Sequence, residues 1–101
     1  MHKPVLIKEV LEYLNPTPGE NVIDGTLGDG GHAVEILKKT SPNGLVLGID
    51  WDGQQIENSR DMLRSFLDRA ILVNDSYVNV KEIAERMRLK PINGMLLALG
   101  L

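Results

Sequence analysis

Apolar positions along this chain alternate between two spacings, and the alternation lays out its elements. Behind Pro4, residues Val5, Leu6, Ile7, Val10, Leu11 and Leu14 recur at helical intervals until Asn15-Pro16-Thr17-Pro18-Gly19 ends the segment. Asn21-Val22-Ile23-Asp24-Gly25 is a short β-branched run closed by an acid and a glycine, and a helical pattern through Ala33, Val34, Ile36 and Leu37 follows. After the turn Ser41-Pro42-Asn43-Gly44, the run Leu45-Val46-Leu47-Gly48-Ile49-Asp50 predicts a strand buried on both faces, again ending in an acid. Ile56, Leu63, Phe66 and Leu67 predict a third helix, Ala70-Ile71-Leu72-Val73-Asn74-Asp75 a third strand, and Val80, Ile83, Ala84 and Met87 a fourth helix. Pro91 and Asn93-Gly94 then introduce a fourth apolar strand, Met95-Leu96-Leu97-Ala98-Leu99.

Strands alternating with helices call for a parallel sheet with right-handed crossovers, so the expected fold is α/β, doubly wound and Rossmann-like, with strand order 3-2-1-4. Such domains normally continue past the fourth strand, and the expectation is therefore a single unit over residues 1–101 that forms the first half of a larger domain. In that order the fourth strand is an edge. Its apolar run carries no charge or proline, which predicts self-association through that edge.

Composition removes several classes of function. There is no cysteine, so disulfides, thiolate nucleophiles and zinc-cysteine sites are excluded, and two histidines make a metal centre improbable. No apolar run approaches the roughly 20 residues of a membrane helix and no signal peptide opens the chain, which reads as cytoplasmic. A net charge of -3 gives no whole-chain electrostatic case for nucleic acid. Lys81, Arg86, Arg88 and Lys90 are interleaved with Glu82 and Glu85, the pattern of a solvated helix face.

The chemistry concentrates in Asp24-Gly25-Thr26-Leu27-Gly28-Asp29-Gly30-Gly31-His32-Ala33. Glycines between a strand and a helix allow backbone to approach a ligand and aim helix N–H groups at it. The spacing Gly28-x-Gly30-x-x-Ala33 fits a dinucleotide fingerprint, with Asp50 at the next strand end where a ribose-binding acid belongs. Two cofactors compete for this loop. A nicotinamide dinucleotide brings a pyrophosphate that Asp24 would repel, whereas S-adenosylmethionine brings a cationic amino-acid end that Asp24 would attract. The residues favour S-adenosylmethionine, with an NAD-binding oxidoreductase fragment and a non-catalytic self-associating half-domain as alternatives. A βα turn whose glycines serve only packing is disfavoured, because two acids at consecutive strand ends plus the loop are more than packing requires.

His2-x-Pro4-Val5-Leu6-Ile7-x-Glu9-Val10-Leu11, Asp24-Gly25-Thr26-Leu27-Gly28-x-Gly30-Gly31-His32, Gly48-Ile49-Asp50-x-Asp52 and Asn93-Gly94-Met95-Leu96-Leu97-x-Leu99-Gly100 together resemble the bacterial 16S ribosomal RNA cytosine-N4 methyltransferase family, small-subunit methyltransferase H. The resemblance covers essentially the whole chain and matches the N-terminal third of such proteins. It implies a class I methyltransferase domain, S-adenosylmethionine as cofactor, and 16S ribosomal RNA or the small ribosomal subunit as partner. It also implies cofactor contacts by Gly30, Gly31 and His32, ribose contact by Asp50, and Tyr77 near the adenine. On their own, His32 reads more readily as a helix-start residue that caps or packs, and Tyr77 as a half-buried aromatic.

One position departs from the family, whose fourth strand ends Leu-Leu-Asp-Leu-Gly where this chain has Leu96-Leu97-Ala98-Leu99-Gly100. Methyl transfer to an exocyclic amine builds positive charge on the nitrogen, which a carboxylate stabilises and alanine does not. The expectation is a cofactor-binding half that is inactive alone.

Overall fold

The strands form because β-branched and leucine-rich runs gain most where both faces of a parallel sheet are covered. The computed structural model describes residues 14–97. Its four strands are β1 (Val22–Asp24), β2 (Val46–Asp50), β3 (Ala70–Asn74) and β4 (Gly94–Leu96), all parallel and ordered β3-β2-β1-β4. This is the order expected from the sequence. Three α-helices connect them: α1 (Gly31–Lys39), α2 (Gly53–Met62) and α3 (Val80–Arg86). The predicted opening helix, Leu14 apart, and Ala98 and Leu99 of the predicted fourth strand lie outside the described residues.

Two apolar cores sandwich the sheet. On one face Val22, Leu27 and Val46 pack with Ala33, Ile36 and Leu37 of α1 and with Ile56 and Leu63. On the other, Ile23, Leu47 and Ile49 pack with Ile83, Ala84 and Leu89. Strand alternation produces the division, since successive side chains point to opposite faces. By the same alternation Asp24 belongs to the α1 face, two residues beyond Val22.

The third helix is shorter than its periodicity predicts. α2 ends at Met62, and Arg64–Phe66 forms a separate 3-10 turn beyond Leu63. The chain turns there so that Arg69 can be buried. Its guanidinium donates to the carbonyl oxygens of Gly44 (2.8 Å) and Leu37 (3.0 Å) and to Ser41 Oγ (2.9 Å). It also lies 5.5 Å from the centroid of the Phe66 ring. A cation at the C-terminal end of α1 is favoured by the helix dipole and satisfies carbonyls the helix leaves open. Asn21 does comparable work at the start of the sheet: its side chain accepts from Leu45 N–H (3.0 Å) and donates to Pro91 O (3.0 Å), tying β1 to the approaches of β2 and β4.

Candidate cofactor site

At the carboxyl ends of β1 and β2 the chain makes two tight turns, and the acids that close these strands hold them. Asp24 Oδ1 accepts from Thr26 N–H at 3.2 Å. Asp50 Oδ2 accepts from Gly28 N–H at 2.8 Å and Oδ1 from Asp52 N–H at 2.9 Å. The acid of the second strand thus staples the glycine loop of the first. Loop backbone completes the connection, with Gly25 N–H donating to Leu96 O and Leu27 N–H to Ile49 O, both at 2.9 Å.

Gly30 and Gly28 have left-handed backbones, with φ of 94° and 57°, where side chains with a Cβ are strained. They differ in surroundings. A Cβ at Gly30 would meet Ser59 Cβ at 3.3 Å, so this glycine serves the close approach of α2, whereas a Cβ at Gly28 meets nothing within 4 Å. Gly30 caps α1, and Asp29 Oδ1 accepts from Gly31 N–H at 3.0 Å. His32 follows in the first turn and is buried.

Asp24 is fully buried, and its Oδ2 has no hydrogen-bond partner among the described residues. Across the sheet it stands in register with Gly48 on one side and Leu96 on the other, neither of which offers a side-chain donor. Burial pushes its carboxyl from the ordinary 3.8 up to about 7; the Thr26 N–H pulls downward, and the Asp50 carboxylate adds to the rise. The sequence reading expected an ionised carboxylate here. Burial instead favours the neutral form of this carboxyl.

The end of β3 completes the rim. Asp75 N–H and Asn74 Nδ2 both donate to Asp50 O at 3.0 Å. Asp75 Oδ1 accepts from Ser76 N–H and from Asn79 Nδ2 (2.9 Å), and these bonds hold its carboxyl below the usual range. They shape the 3-10 turn Tyr77–Asn79, whose tyrosine is 38% exposed and has its Cβ 3.4 Å from where a side chain on Gly25 would begin. The structure therefore brings Asp24, Gly28, Gly30, Gly31, His32, Asp50 and Tyr77 to one end of the sheet. Sequence reasoning missed the brace by Asn74, Asp75 and Asn79; its only signal was a third strand that also ends in an acid. Trp51 is 81% exposed beside Asp50 on the same rim.

Among the described residues no group of His, Asp or Glu side chains could hold a metal ion. Lys81, Arg86, Arg88 and Lys90 are all exposed, with Arg86 lying 3.8 Å from Glu82.

Fold and rim together define a Rossmann-like α/β unit. Solved structures share that fold: the C-terminal domain of precorrin-6Y C5,15-methyltransferase from Rhodobacter capsulatus superposes with a TM-score of 0.78 at 20% identity, covering 100% of this chain and 52% of that one. An rRNA methylase from Streptococcus thermophilus gives a TM-score of 0.70 at 16% identity, covering 96% and 55%. The chain belongs to the MraW methylase family, whose pattern it matches over residues 1–101. It is 42% identical over 100 residues to ribosomal RNA small subunit methyltransferase H of Dictyoglomus turgidum, covering 99% of this chain and 34% of the relative. For the protein of the same name from Mycoplasmopsis pulmonis the identity is 44% over 100 residues, covering 99% and 33%. The chain thus spans about a third of the length of the curated relatives it matches. The oxidoreductase alternative is not favoured.

Proposed function

We propose that this chain is the cofactor-binding part of an S-adenosylmethionine-dependent methyltransferase acting on the N4 amino group of a cytosine in 16S ribosomal RNA, in the cytoplasm. One observation carries the cofactor reading: a buried carboxyl oxygen with no partner among the described residues, at the strand end beneath an open glycine loop. Buried polar atoms are nearly always paired, so an orphan at a strand end invites a donor from a ligand. A cationic amino-acid end fits that place, and a pyrophosphate does not.

In this reading Asp24 takes the ammonium, the loop from Gly28 to His32 lies along the methionine part, Asp50 takes the ribose hydroxyls and Tyr77 covers the adenine. When bound, the cofactor supplies a sulfonium methyl group for an amine nucleophile. Asp50 has lone pairs left after its two backbone bonds, since a carboxylate offers about four acceptor sites. An RNA substrate is supported by the names of the longer relatives, and the cytosine N4 target by the sequence resemblance alone.

Calorimetric titration separates the readings: S-adenosylhomocysteine binds and NAD does not, and the reverse result overturns the assignment. Radiolabelled methyl transfer to small-subunit RNA is expected to be negligible for the 101-residue chain, because substrate positioning supplies much of catalysis and this chain spans about a third of its relatives. We further propose that the chain self-associates through the outer edge of β4.

A further inference from the structure

Asp24 closes β1 as a buried carboxyl. Its carboxyl is sealed from solvent, one oxygen is unpartnered among the described residues, and the strands on either side present Gly48 and Leu96. The titratable groups on the elements around it are few. β2 ends in Asp50, a like charge; the loop carries Asp29, engaged with Gly31 N–H; and α1 contributes His32 in its first turn. α2 meets this face through Ile56 and Ser59, its N-cap Asp52 being turned to Gln54 N–H, and β4 contributes no charge. Among the described residues on these elements, no group but His32 offers a positive charge to an ionised Asp24.

From this geometry we infer that the cofactor site is proton-gated at Asp24: uptake of a ligand with a cationic amino-acid end drives the Asp24 proton into solvent, so binding strengthens as pH rises through neutrality. The inference rests on the cofactor reading above and adds its regulation. A neutral carboxyl is the cheaper state at a fully buried position, and an ammonium arriving at Oδ2 reverses that preference. With the free carboxyl titrating near 7, ligand uptake releases about one proton at pH 6 and about a quarter of one at pH 7.5. Affinity is then about eightfold weaker at pH 6 than at pH 7.5.

The test is calorimetry of S-adenosylhomocysteine binding to the 101-residue chain at both pH values, in phosphate and in Tris, whose ionisation enthalpies differ. Buffer-dependent heats and the affinity difference are expected for the unaltered protein, and neither for Asp24→Asn. Equal affinity at both pH values with no buffer dependence overturns the gate while leaving the cofactor reading intact. PH dependence that survives in Asp24→Asn assigns the proton to another group, His32 first, and also overturns it. Absence of binding at either pH by folded protein overturns the cofactor reading and the gate with it. Should Asp24→Asn fail to fold, carboxyl carbon-13 NMR of the unaltered protein decides: titration of Asp24 near neutrality without ligand, moving down on saturation, supports the gate, and titration below pH 5 without ligand overturns it.

Discussion

Asp24 and Asp50 close neighbouring strands with the same functional group, yet their surroundings send them in different directions. Asp50 accepts two backbone N–H bonds and stays half-buried at the rim; Asp24 has one such bond and no solvent. A carboxyl raised from 3.8 to about 7 in the folded protein binds its proton more tightly than in the unfolded chain. Its contribution to stability is therefore fully present below about pH 4 and is lost as pH rises through about 7. Three pH units correspond to roughly 4 kcal/mol, at about 1.4 kcal/mol per unit. Asp24→Asn removes that burden while leaving an amide with unmet donors, itself worth about 1–3 kcal/mol. Urea unfolding at pH 8 should show the variant more stable by about 1–3 kcal/mol, with the order reversed near pH 4.5; a less stable variant at pH 8 contradicts the assignment. Asp50→Ala acts on the ligand side. It should weaken S-adenosylhomocysteine binding by about 1–3 kcal/mol, the usual loss for hydrogen bonds to a charged group, and unchanged affinity by calorimetry would remove Asp50 from the site.

At the scale of elements, the glycine loop separates packing from binding. Alanine at either glycine meets an unfavourable left-handed backbone, worth about 1–2 kcal/mol. At Gly30 the new methyl also presses on Ser59 of α2, so Gly30→Ala should lower stability by about 2–3 kcal/mol by urea unfolding. At Gly28 the methyl enters open space, so Gly28→Ala should lose only the backbone part while weakening cofactor binding by more than it weakens the fold. Equal stability losses at the two positions would show that α2 gives way freely. Much of this layout was legible in the sequence. The βαβ alternation showed because strands covered on both faces must be apolar throughout, as Val46, Leu47, Gly48 and Ile49 are. The acids at strand ends showed because they interrupt those runs. What stayed hidden depends on distant partners. Arg69 follows Asp68 in what looks like a polar surface segment, and only the carbonyls of Leu37 and Gly44 and the Ser41 hydroxyl explain its burial. The break between α2 and the 3-10 turn was hidden for the same reason, since Ile56, Leu63 and Phe66 keep helical spacing across it. The burial of Asp24 was equally hidden, because it arises only once β1 is enclosed between β2 and β4 in the sheet.

For the whole molecule the open question of surface lies at β4. It pairs with β1 on one side, and no strand pairs with its other side among the described residues. Around it Ile92 is 47% exposed and Met95 49%, and the stretch from Pro91 to Leu97 contains no charged residue. Natural edges are normally blunted by charge, proline or a covering element, and an unblunted apolar edge recruits another strand. A second copy of the chain satisfies it with two-fold symmetry, because two β4 edges can meet antiparallel and each then serves the other. β4 has only three residues, so backbone pairing alone would be weak; burial of Met95 and Ile92 has to supply the rest. The structure also chooses the test substitution. Leu97 packs over Gly25 of the cofactor loop, and a charge there would disturb the site, whereas Met95 is free of that contact. Light scattering at micromolar concentration should report a dimer for the unaltered chain and a monomer for Met95→Lys, with binding of S-adenosylhomocysteine retained in both. A folded monomer of the unaltered chain would show that this edge does not recruit its own copy.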